Sequence, residues 1–373
     1  MNHQITFIGG QVLPVFIGIN EFNPDKIYCI ASEESKDKIS LLKPIFGDKV
    51  FIEKECNPFD FLAIKDMLSK LVDQIQPTDE IQFNLTGGTK VMVLAAQAIM
   101  QEKNIKGFYI NLDNTYLKLP SYEISKIYSE ISTNHFLQIT GHKLGNHNTL
   151  TDFSKEDFFT TSAIEKFSKK YNWMYLKINE ELRRKFKDKY NRLNIPETGI
   201  MKIENQIILE WSGNKIFVIS NGHNLLKIES PNARSLFFNA GWWELNVAKV
   251  ISEWPKVKEL LIQCELPFKS DETTTKNEID ILVNIGGKLI FVECKSGFVK
   301  QEDINKMSII KDTYGGVISK SLLVCRFKPS RTIEEKCKEL NIEIFYSFIH
   351  DDFINPISRV LDTLNQLEKK FLV

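Results

Sequence analysis

The sequence lacks several features that would place it in a simple class. It has no excess of either charge, because 48 Lys and Arg balance 48 Asp and Glu, and this excludes a polybasic protein. None of its six cysteines forms a CxxC pair, which argues against a zinc knuckle or a disulfide framework. No apolar run reaches the roughly 18 residues of a membrane span, and the first residues show no secretory pattern. We therefore expect a soluble cytoplasmic protein without a membrane partner.

The chain is too long for one ordinary domain. It has 373 residues, of which 43% are hydrophobic and 26% charged, a composition typical of globular proteins. Internal repeats and low-complexity tracts are absent from the sequence. We expect one domain over 1–125, a linker with a small α+β insertion over 126–230 and a further domain over 231–373.

The first of these regions alternates between strand and helix patterns, which favours a mostly parallel sheet. The predicted strands are 5–8, 26–30, 49–53, 80–85 and 107–111, and the clearest helices are 59–75 and 89–101. In such sheets ligands bind beyond the carboxyl ends of the strands. The middle region has helical patterns over 155–192 and strand patterns over 200–228. It is either a small insertion or an extension of the last domain.

The last region contains a strong hairpin signal. Two β-rich runs, 278–285 and 288–294, flank the dipeptide Gly286-Gly287. If this dipeptide is a two-residue turn, Asp280 lies opposite Glu293.

Carboxylates directly opposed on neighbouring strands destabilise the sheet unless a cation offsets their charge. Asp280 and Glu293 are therefore candidate ligands of Mg²⁺ or Mn²⁺, which prefer oxygen donors. Lys295 lies on the same face of the strand as Glu293, and Glu278 would lie opposite Lys295. The alternative is that all these residues lie on the solvated face of an ordinary hairpin.

A third carboxylate favours the metal site. The pattern predicts a helix over 236–254 with an apolar stripe, and Glu244 lies within that stripe. An acidic side chain on an apolar face is costly unless it is paired or binds a metal.

The set Glu244, Asp280, Glu293 and Lys295 resembles the motif of the PD-(D/E)xK nuclease superfamily. Ile279 stands where many members have proline. The resemblance implies a restriction-endonuclease-like α/β domain in which Glu244, Asp280 and Glu293 bind Mn²⁺ or Mg²⁺. Lys295 would orient the attacking water or stabilise the developing negative charge.

A second candidate site lies near the N-terminus. The stretch 84–90, NLTGGTK, runs from a strand through two glycines into a helix, and 9–11, GGQ, follows the first strand. Glycines allow close approach to backbone N–H groups, and a helix N-terminus favours an anion. The alternative is an ordinary strand-to-helix turn. Neither GxxxxGK[ST] nor GxGxxG is present, which excludes the two common phosphate-binding motifs.

These two stretches resemble the CARF domain of CRISPR-associated proteins, a Rossmann-like domain that binds cyclic oligoadenylate across a homodimer. The resemblance implies ligand contacts from Gly9, Gly10, Gln11, Asn84, Thr86, Gly87, Gly88, Thr89 and Lys90.

A CARF domain joined to a PD-(D/E)xK domain is similar to the ancillary nucleases of type III CRISPR antiviral defence. This implies a homodimeric, metal-dependent endonuclease that cyclic tetra-adenylate activates to cleave single-stranded DNA, RNA or both. A HEPN ribonuclease is disfavoured, because no arginine precedes a histidine at the required spacing. Two alternatives remain: a ligand-responsive regulator that binds nucleic acid without cutting it, and a nuclease that needs no activator.

Overall fold

The computed structural model divides the chain into two compact units. Unit 1 is built mainly from Met1–Leu144, and unit 2 from Gly145–Pro267 and Thr273–Glu368. The structure describes residues 1–111, 113–188, 193–204, 207–268, 276–316, 318–350 and 353–371.

Unit 1 is a sheet with helices between its strands. In chain order its elements are β1 (Asn2–Ile8), α1 (Leu13–Phe22), β2 (Lys26–Ala31), α2 (Ile39–Leu42), β3 (Val50–Glu55), α3 (Phe61–Asp73), β4 (Glu80–Asn84), α4 (Lys90–Lys103), β5 (Lys106–Ile110), β6 (Thr115–Leu119), β7 (Ile124–Lys126) and α5 (Thr133–Ile139). The strand order is β3-β2-β1-β4-β5-β6-β7. Strands β1 to β5 pair in parallel, whereas β6 and β7 pair antiparallel.

This arrangement confirms the predicted mostly parallel sheet. All five predicted strands and both predicted helices are present, with ends shifted by a few residues. The strands β6 and β7 were not predicted. The strand order reverses between β1 and β4, and at such a switch point the two following loops diverge and leave a crevice for a ligand.

Unit 2 contains two further sheets. In chain order its elements are α6 (Lys155–Lys170), α7 (Asn172–Phe186), β8 (Thr198–Ile203), β9 (Ile207–Ser212), β10 (Lys215–Ser220), β11 (His223–Glu229), α8 (Ala233–Phe238), α9 (Gly241–Ser252), β12 (Glu259–Pro267), β13 (Lys276–Asn284), β14 (Leu289–Lys295), α10 (Gln301–Ile310), β15 (Lys320–Phe327), α11 (Arg331–Glu339), β16 (Ile342–His350), β17 (Phe353–Ile354) and α12 (Val360–Lys369).

The smaller sheet has the antiparallel order β11-β10-β9-β8, and the larger has the order β12-β13-β14-β15-β16-β17. In the larger sheet β14, β15 and β16 are parallel and the remaining pairs are antiparallel. The middle region, with α6, α7 and the smaller sheet, belongs to unit 2, where α6 packs against α9.

The predicted hairpin is confirmed. Ile281 pairs with Val292 and Asn284 with Leu289, so that Gly286-Gly287 lies in the turn. Both glycines have positive φ angles, 90° and 92°, which L-residues rarely adopt. The Asn284 side-chain oxygen accepts the N–H groups of Gly286 and Gly287 at 3.0 and 2.9 Å.

The single helix predicted over 236–254 is wrong. The chain forms two helices, α8 and α9, separated at Ala240, whose φ of 63° is left-handed. The apolar stripe is continuous through the break because both helices bury their apolar side chains, so periodicity alone did not reveal the interruption. Among the described residues, no helix is both long enough and apolar enough to cross a membrane.

Candidate functional sites

The glycine-rich edge of unit 1 is shaped by close backbone contacts. A Cβ atom on Gly9 would lie 2.8 Å from the backbone nitrogen of Gly88, and one on Gly87 would overlap the carbonyl oxygen of Phe7. Gly88 also has a left-handed φ of 77°. Packing between the loops that follow β1 and β4 therefore requires glycine at these positions.

A cavity of about 800 Å³ lies at this edge. Among the predicted ligand residues, Gly9, Gly10, Gly88 and Thr89 line it. The remaining walls include Ser32, Glu33, Glu34, Ser35, Lys38, Glu55, Asn57 and Phe59. This volume is within the range of small-molecule sites.

Other predicted ligand residues make contacts within the protein. The Asn84 side chain donates to the carbonyl of Pro14 at 3.2 Å and accepts from the N–H of Thr86 at 3.0 Å. The Thr86 hydroxyl accepts from the N–H of Ile110 at 2.8 Å. These bonds hold the loop after β4 in place.

Thr89 is held by hydrogen bonds within the protein, whereas Gln11 and Lys90 are exposed to solvent. The Thr89 hydroxyl donates to the carbonyl of Pro58 at 2.6 Å and caps α4 by accepting from Met92 N at 3.3 Å. Gln11 and Lys90 are exposed and do not line the cavity, and Gly87 lies buried behind it.

Sequence reasoning missed Lys38 at this site. Its Nζ donates to the carbonyl oxygens of Gly9 and Gly10 at 3.2 and 2.8 Å, which places a positive charge at the cavity wall. The segment after β2 reaches the same sheet edge because β2 is the parallel neighbour of β1. That topology was the available signal, since neither glycine-rich stretch by itself points to Lys38.

In unit 2, β14 carries an ion pair whose carboxylate is buried and whose lysine is half-buried. Glu293 is only 4% exposed, and its Oε1 lies 2.8 Å from Lys295 Nζ. Lys295 also lies 3.3 Å from a carboxylate oxygen of Asp303. Asp303 was not predicted, although its place in the first turn of α10 is typical of an acidic residue. Burial of Glu293 argues against the alternative of an ordinary solvated hairpin face.

Lys295 pairs with the two carboxylates just described and not with Glu278, the residue predicted to lie opposite it. Asp280 reaches β14 through its side chain. Its Oδ2 accepts the N–H of Cys294 at 2.6 Å, just beyond the last backbone pair of the hairpin, Ile281 with Val292.

Glu244 lies in the first turn of α9, which two tryptophans anchor. Trp243 Nε1 donates to the carbonyl of Val324 at 3.1 Å, and Trp242 Nε1 donates to the Tyr175 hydroxyl at 2.7 Å. These bonds tie the helix to β15 and α7, so that Glu244 is half-buried at a fixed position on the sheet.

Gln263 is a further residue that sequence reasoning missed. Its Nε2 donates to Glu244 Oε2 at 3.1 Å, and its Oε1 accepts from Asn148 Nδ2 at 3.0 Å. Its backbone is left-handed, with a φ of 53°, in the middle of β12. Such a conformation in a residue other than glycine is uncommon and often occurs at functional sites. The sequence signal was an isolated polar side chain between Ile262 and Cys264.

Burial and mutual repulsion perturb the carboxylates. Burial, with the negative charges of Glu278 and Glu293, raises the pKa of Glu244 to about 7, although the Gln263 hydrogen bond and Lys295 oppose this. Burial, followed by repulsion from Glu293 and Glu244, raises the pKa of Asp280 well above its usual range. The site therefore favours the binding of protons or another cation.

Lys295 remains the positive charge of this site. Burial acts to lower the pKa of Lys295, but attraction to Glu293, their hydrogen bond and the charges of Asp280 and Asp303 raise it above its ordinary value. The ammonium group is therefore protonated at neutral pH.

The donor chemistry of Glu244, Asp280 and Glu293 suits Mg²⁺ or Mn²⁺, since all three supply carboxylate oxygens. Each uses one oxygen in a hydrogen bond described above, and no donor in the described part of the chain reaches its other oxygen. Within the described ranges, however, no group of three or more His, Cys, Asp or Glu side chains is arranged to hold a metal ion as it stands. Binding of a cation would require these side chains to rotate toward it.

Comparison with protein-family models matches both ends of the chain. Residues 4–140 match the model described as the Card1 CARF domain, and residues 231–361 match the Card1-like endonuclease domain. Together with the α/β architecture of the sheets, these matches confirm the predicted order of a CARF domain followed by an endonuclease domain. No curated protein matches the chain.

Three solved structures have a similar fold. Can2 from Sulfobacillus thermosulfidooxidans, in complex with cyclic tetra-adenylate, is 19% identical, with a TM-score of 0.71 over 98% of this chain and 99% of that chain. Protein VC1899 from Vibrio cholerae is 13% identical, with a TM-score of 0.70 over 99% of this chain and 98% of that chain.

The third is a type III CRISPR defence DNA nuclease activated by cyclic oligoadenylate. It is 14% identical, with a TM-score of 0.63 over 98% of this chain. This chain covers 51% of that protein. At these identities, all three likenesses concern the fold.

Proposed function

We propose that this chain, which joins a CARF domain to a Card1-like endonuclease domain, is a metal-dependent nuclease of type III CRISPR defence that cyclic tetra-adenylate activates. The observation that carries the proposal is the Glu293–Lys295 pair, whose carboxylate is buried and lies close enough to Asp280 and Glu244 to raise both of their pKa values. A cluster of buried like charges is costly for folding, so its presence favours a chemical role.

In this proposal Glu244, Asp280 and Glu293 hold Mn²⁺ or Mg²⁺. The bound ion supplies a water of lowered pKa and neutralises charge on the phosphate. Lys295, held by Glu293 and Asp303, donates a hydrogen bond to a phosphate oxygen or to the attacking water. Gln263 keeps one oxygen of Glu244 in a fixed direction and leaves its second oxygen available.

The ligand site of the proposal is the cavity at the carboxyl ends of β1 and β4. Its glycine loops expose backbone groups, and Lys38 adds a positive charge suited to phosphate. Can2, which has the same fold, was solved with cyclic tetra-adenylate. A cyclic ligand made of repeated nucleotides suits a two-fold axis, and for this reason we propose a homodimer.

Cleavage of labelled single-stranded DNA and RNA, with Mn²⁺ and with or without cyclic tetra-adenylate, tests this function. We expect cleavage only with the ligand, and none with Glu293→Gln. Glu302→Gln is the matched control, since it removes an exposed carboxylate on the neighbouring helix α10.

Three results would change the conclusion. Cleavage without the ligand would support the nuclease activity but contradict its activation by cyclic tetra-adenylate. Tight ligand binding without cleavage of either substrate would favour the regulator that binds nucleic acid without cutting it. Equal activity of Glu293→Gln and the native protein would place the chemistry elsewhere.

A further inference from the structure

Phe298 is a large apolar side chain with no role in the proposed chemistry. It follows Lys295 by three residues, just past the carboxyl end of β14, and 80% of its surface is exposed. Full burial of a phenylalanine side chain is worth about 2 kcal/mol, and the exposed ring of Phe298 forgoes most of that stabilisation.

Phe298 is the outer member of a row of three neighbouring aromatic rings, which we call the aromatic ladder. Its ring centroid lies 5.9 Å from that of Phe327, with an angle of 26° between the planes. Phe327 in turn lies 5.6 Å from Phe348, at 36°. Phe327 and Phe348 are register partners on β15 and β16, so the two inner rings are fixed by the sheet.

A buried cation holds the inner rings. Arg326 is 1% exposed, and its guanidinium carbon lies 4.8 Å from the ring centroid of Phe327 and 5.3 Å from that of Phe348. Its Nη2 donates to the carbonyl of Ser168 and to Asn172 Oδ1 at 2.7 and 2.9 Å. No carboxylate among the described residues forms a salt bridge with it, so the rings add to the electrostatic stabilisation that Glu165 provides from a greater distance. The ladder thus rests on a rigid base.

The ladder lies at the substrate side of the sheet. Strands β14, β15 and β16 are parallel, and Lys295, Phe298 and Phe327 all lie at or just past their carboxyl ends. Three residues of chain span at most about 11 Å, so a nucleotide next to the phosphate held by Lys295 is close enough to reach the Phe298 ring.

We propose that Phe298 stacks on an unpaired base beside the scissile phosphate, so that the aromatic ladder selects single-stranded nucleic acid. This inference rests on the proposed nuclease function. An exposed ring accepts any base, because every base has a flat π-face, whereas a base within a duplex is already stacked on both sides. The ladder therefore favours single strands with little sequence preference.

The test measures binding without cleavage. The Glu293→Gln protein is titrated with single-stranded and duplex oligonucleotides, and 2-aminopurine in the single strand reports stacking. Stacking of one base is worth about 1–3 kcal/mol, so adding Phe298→Ala should weaken single-strand binding about tenfold to a hundredfold and leave duplex binding unchanged. The Phe298→Trp variant should bind single strands at least as tightly as the protein with the native phenylalanine.

Two further variants separate stacking from apolar contact. Phe298→Leu keeps an apolar side chain but has no ring, and we expect it to bind as weakly as Phe298→Ala. Ile309→Ala removes another exposed apolar side chain, 64% exposed on α10, and should have no effect.

Strong single-strand binding by Phe298→Leu would overturn the proposal. So would a change in oligomeric state with Phe298→Ala, measured by light scattering, since the ring would then be a contact between copies. Because binding is measured separately from cleavage, the two proposals can fail independently. Ring-dependent binding by a protein that never cleaves would refute only the nuclease function.

Discussion

The two candidate sites lie at the same kind of place but are built differently. Both occupy the carboxyl ends of parallel strands, β1 and β4 in unit 1 and β14 in unit 2. In unit 1, glycines let the backbone of two loops approach closely. In unit 2, the site is made of charged side chains brought together against their mutual repulsion. One site depends on shape and the other on charge.

This difference predicts opposite relations between stability and function. The glycines of unit 1 are required for packing, so their substitution should damage the fold and the ligand site together. The carboxylates of unit 2 oppose folding, so their neutral replacements should preserve or increase stability while they remove activity. Each prediction below tests this contrast.

The largest effect is expected for Asp280→Asn. The amide is the same size and still accepts the N–H of Cys294, but it carries no charge. We expect cleavage to fall about a thousandfold, because a charged group at the reaction centre is lost, while the midpoint of thermal unfolding stays equal or rises. Single-turnover cleavage and calorimetry of the same preparation measure both. A lower midpoint of thermal unfolding together with intact cleavage would mean that the Asp280 carboxylate stabilises the fold and takes no part in cleavage.

The next effect is expected for Gly87→Ala. The added Cβ overlaps the carbonyl oxygen of Phe7, and we expect a loss of about 3 kcal/mol in the free energy of unfolding. Gly10→Ala is the matched control, since no atom lies within 4 Å of its Cβ position, and it should change stability by about 0.5 kcal/mol or less. Urea denaturation compares the two. Equal stability of both variants would show that backbone packing does not define this edge.

A smaller effect concerns pH. The pKa of Glu244 is about 7 in the folded protein against an ordinary 4.5, so between these values the folded state binds more protons than the unfolded state. Stability due to this group is therefore greatest below about pH 4.5 and decreases as the pH rises to about 7. Glu244→Gln should remove this decrease, a gain on the order of 3 kcal/mol at pH 8 without divalent ions.

Unfolding measured at several pH values, with and without Mn²⁺, tests this expectation. In the native protein Mn²⁺ should offset the loss of stability at high pH, because it compensates the same charges. Identical pH profiles for the native protein and Glu244→Gln would mean that Glu244 is not perturbed by burial.

The last and smallest effect on cleavage is expected for Gln263→Gly, which should also change stability little. Glycine adopts the left-handed conformation without strain, so the free energy of unfolding should stay level or rise by about 1 kcal/mol. Cleavage should nevertheless fall about tenfold, since Glu244 loses the donor that orients it. Gln263→Ala should show the same decrease in cleavage as Gln263→Gly but no increase in the free energy of unfolding. If Gln263→Gly cleaves normally, the strained backbone has no part in the site.

The sequence predicted much of the fold because the relevant interactions are local. Alternating apolar residues identified the strands of unit 1, and Gly286-Gly287 identified the hairpin with its register. Once that register was assigned, the placement of Asp280 near Glu293 followed, since side chains alternate along a strand. The break at Ala240 was missed because the helices on both sides have the same apolar pattern.

The remaining site residues depend on contacts between distant parts of the chain. Lys38 reaches Gly9 from a separate loop, and Gln263 connects Glu244 with Asn148. No local pattern encodes these neighbours.

Arg326 shows the same limit most clearly, since it meets Ser168 across more than a hundred residues. Residue types and their spacing thus sufficed for the strands, the turn and the identity of the charged groups. Packing of distant segments decided which of these groups are buried, how far their pKa values shift and which aromatic rings are exposed, because burial and electrostatic coupling arise only when the chain is folded.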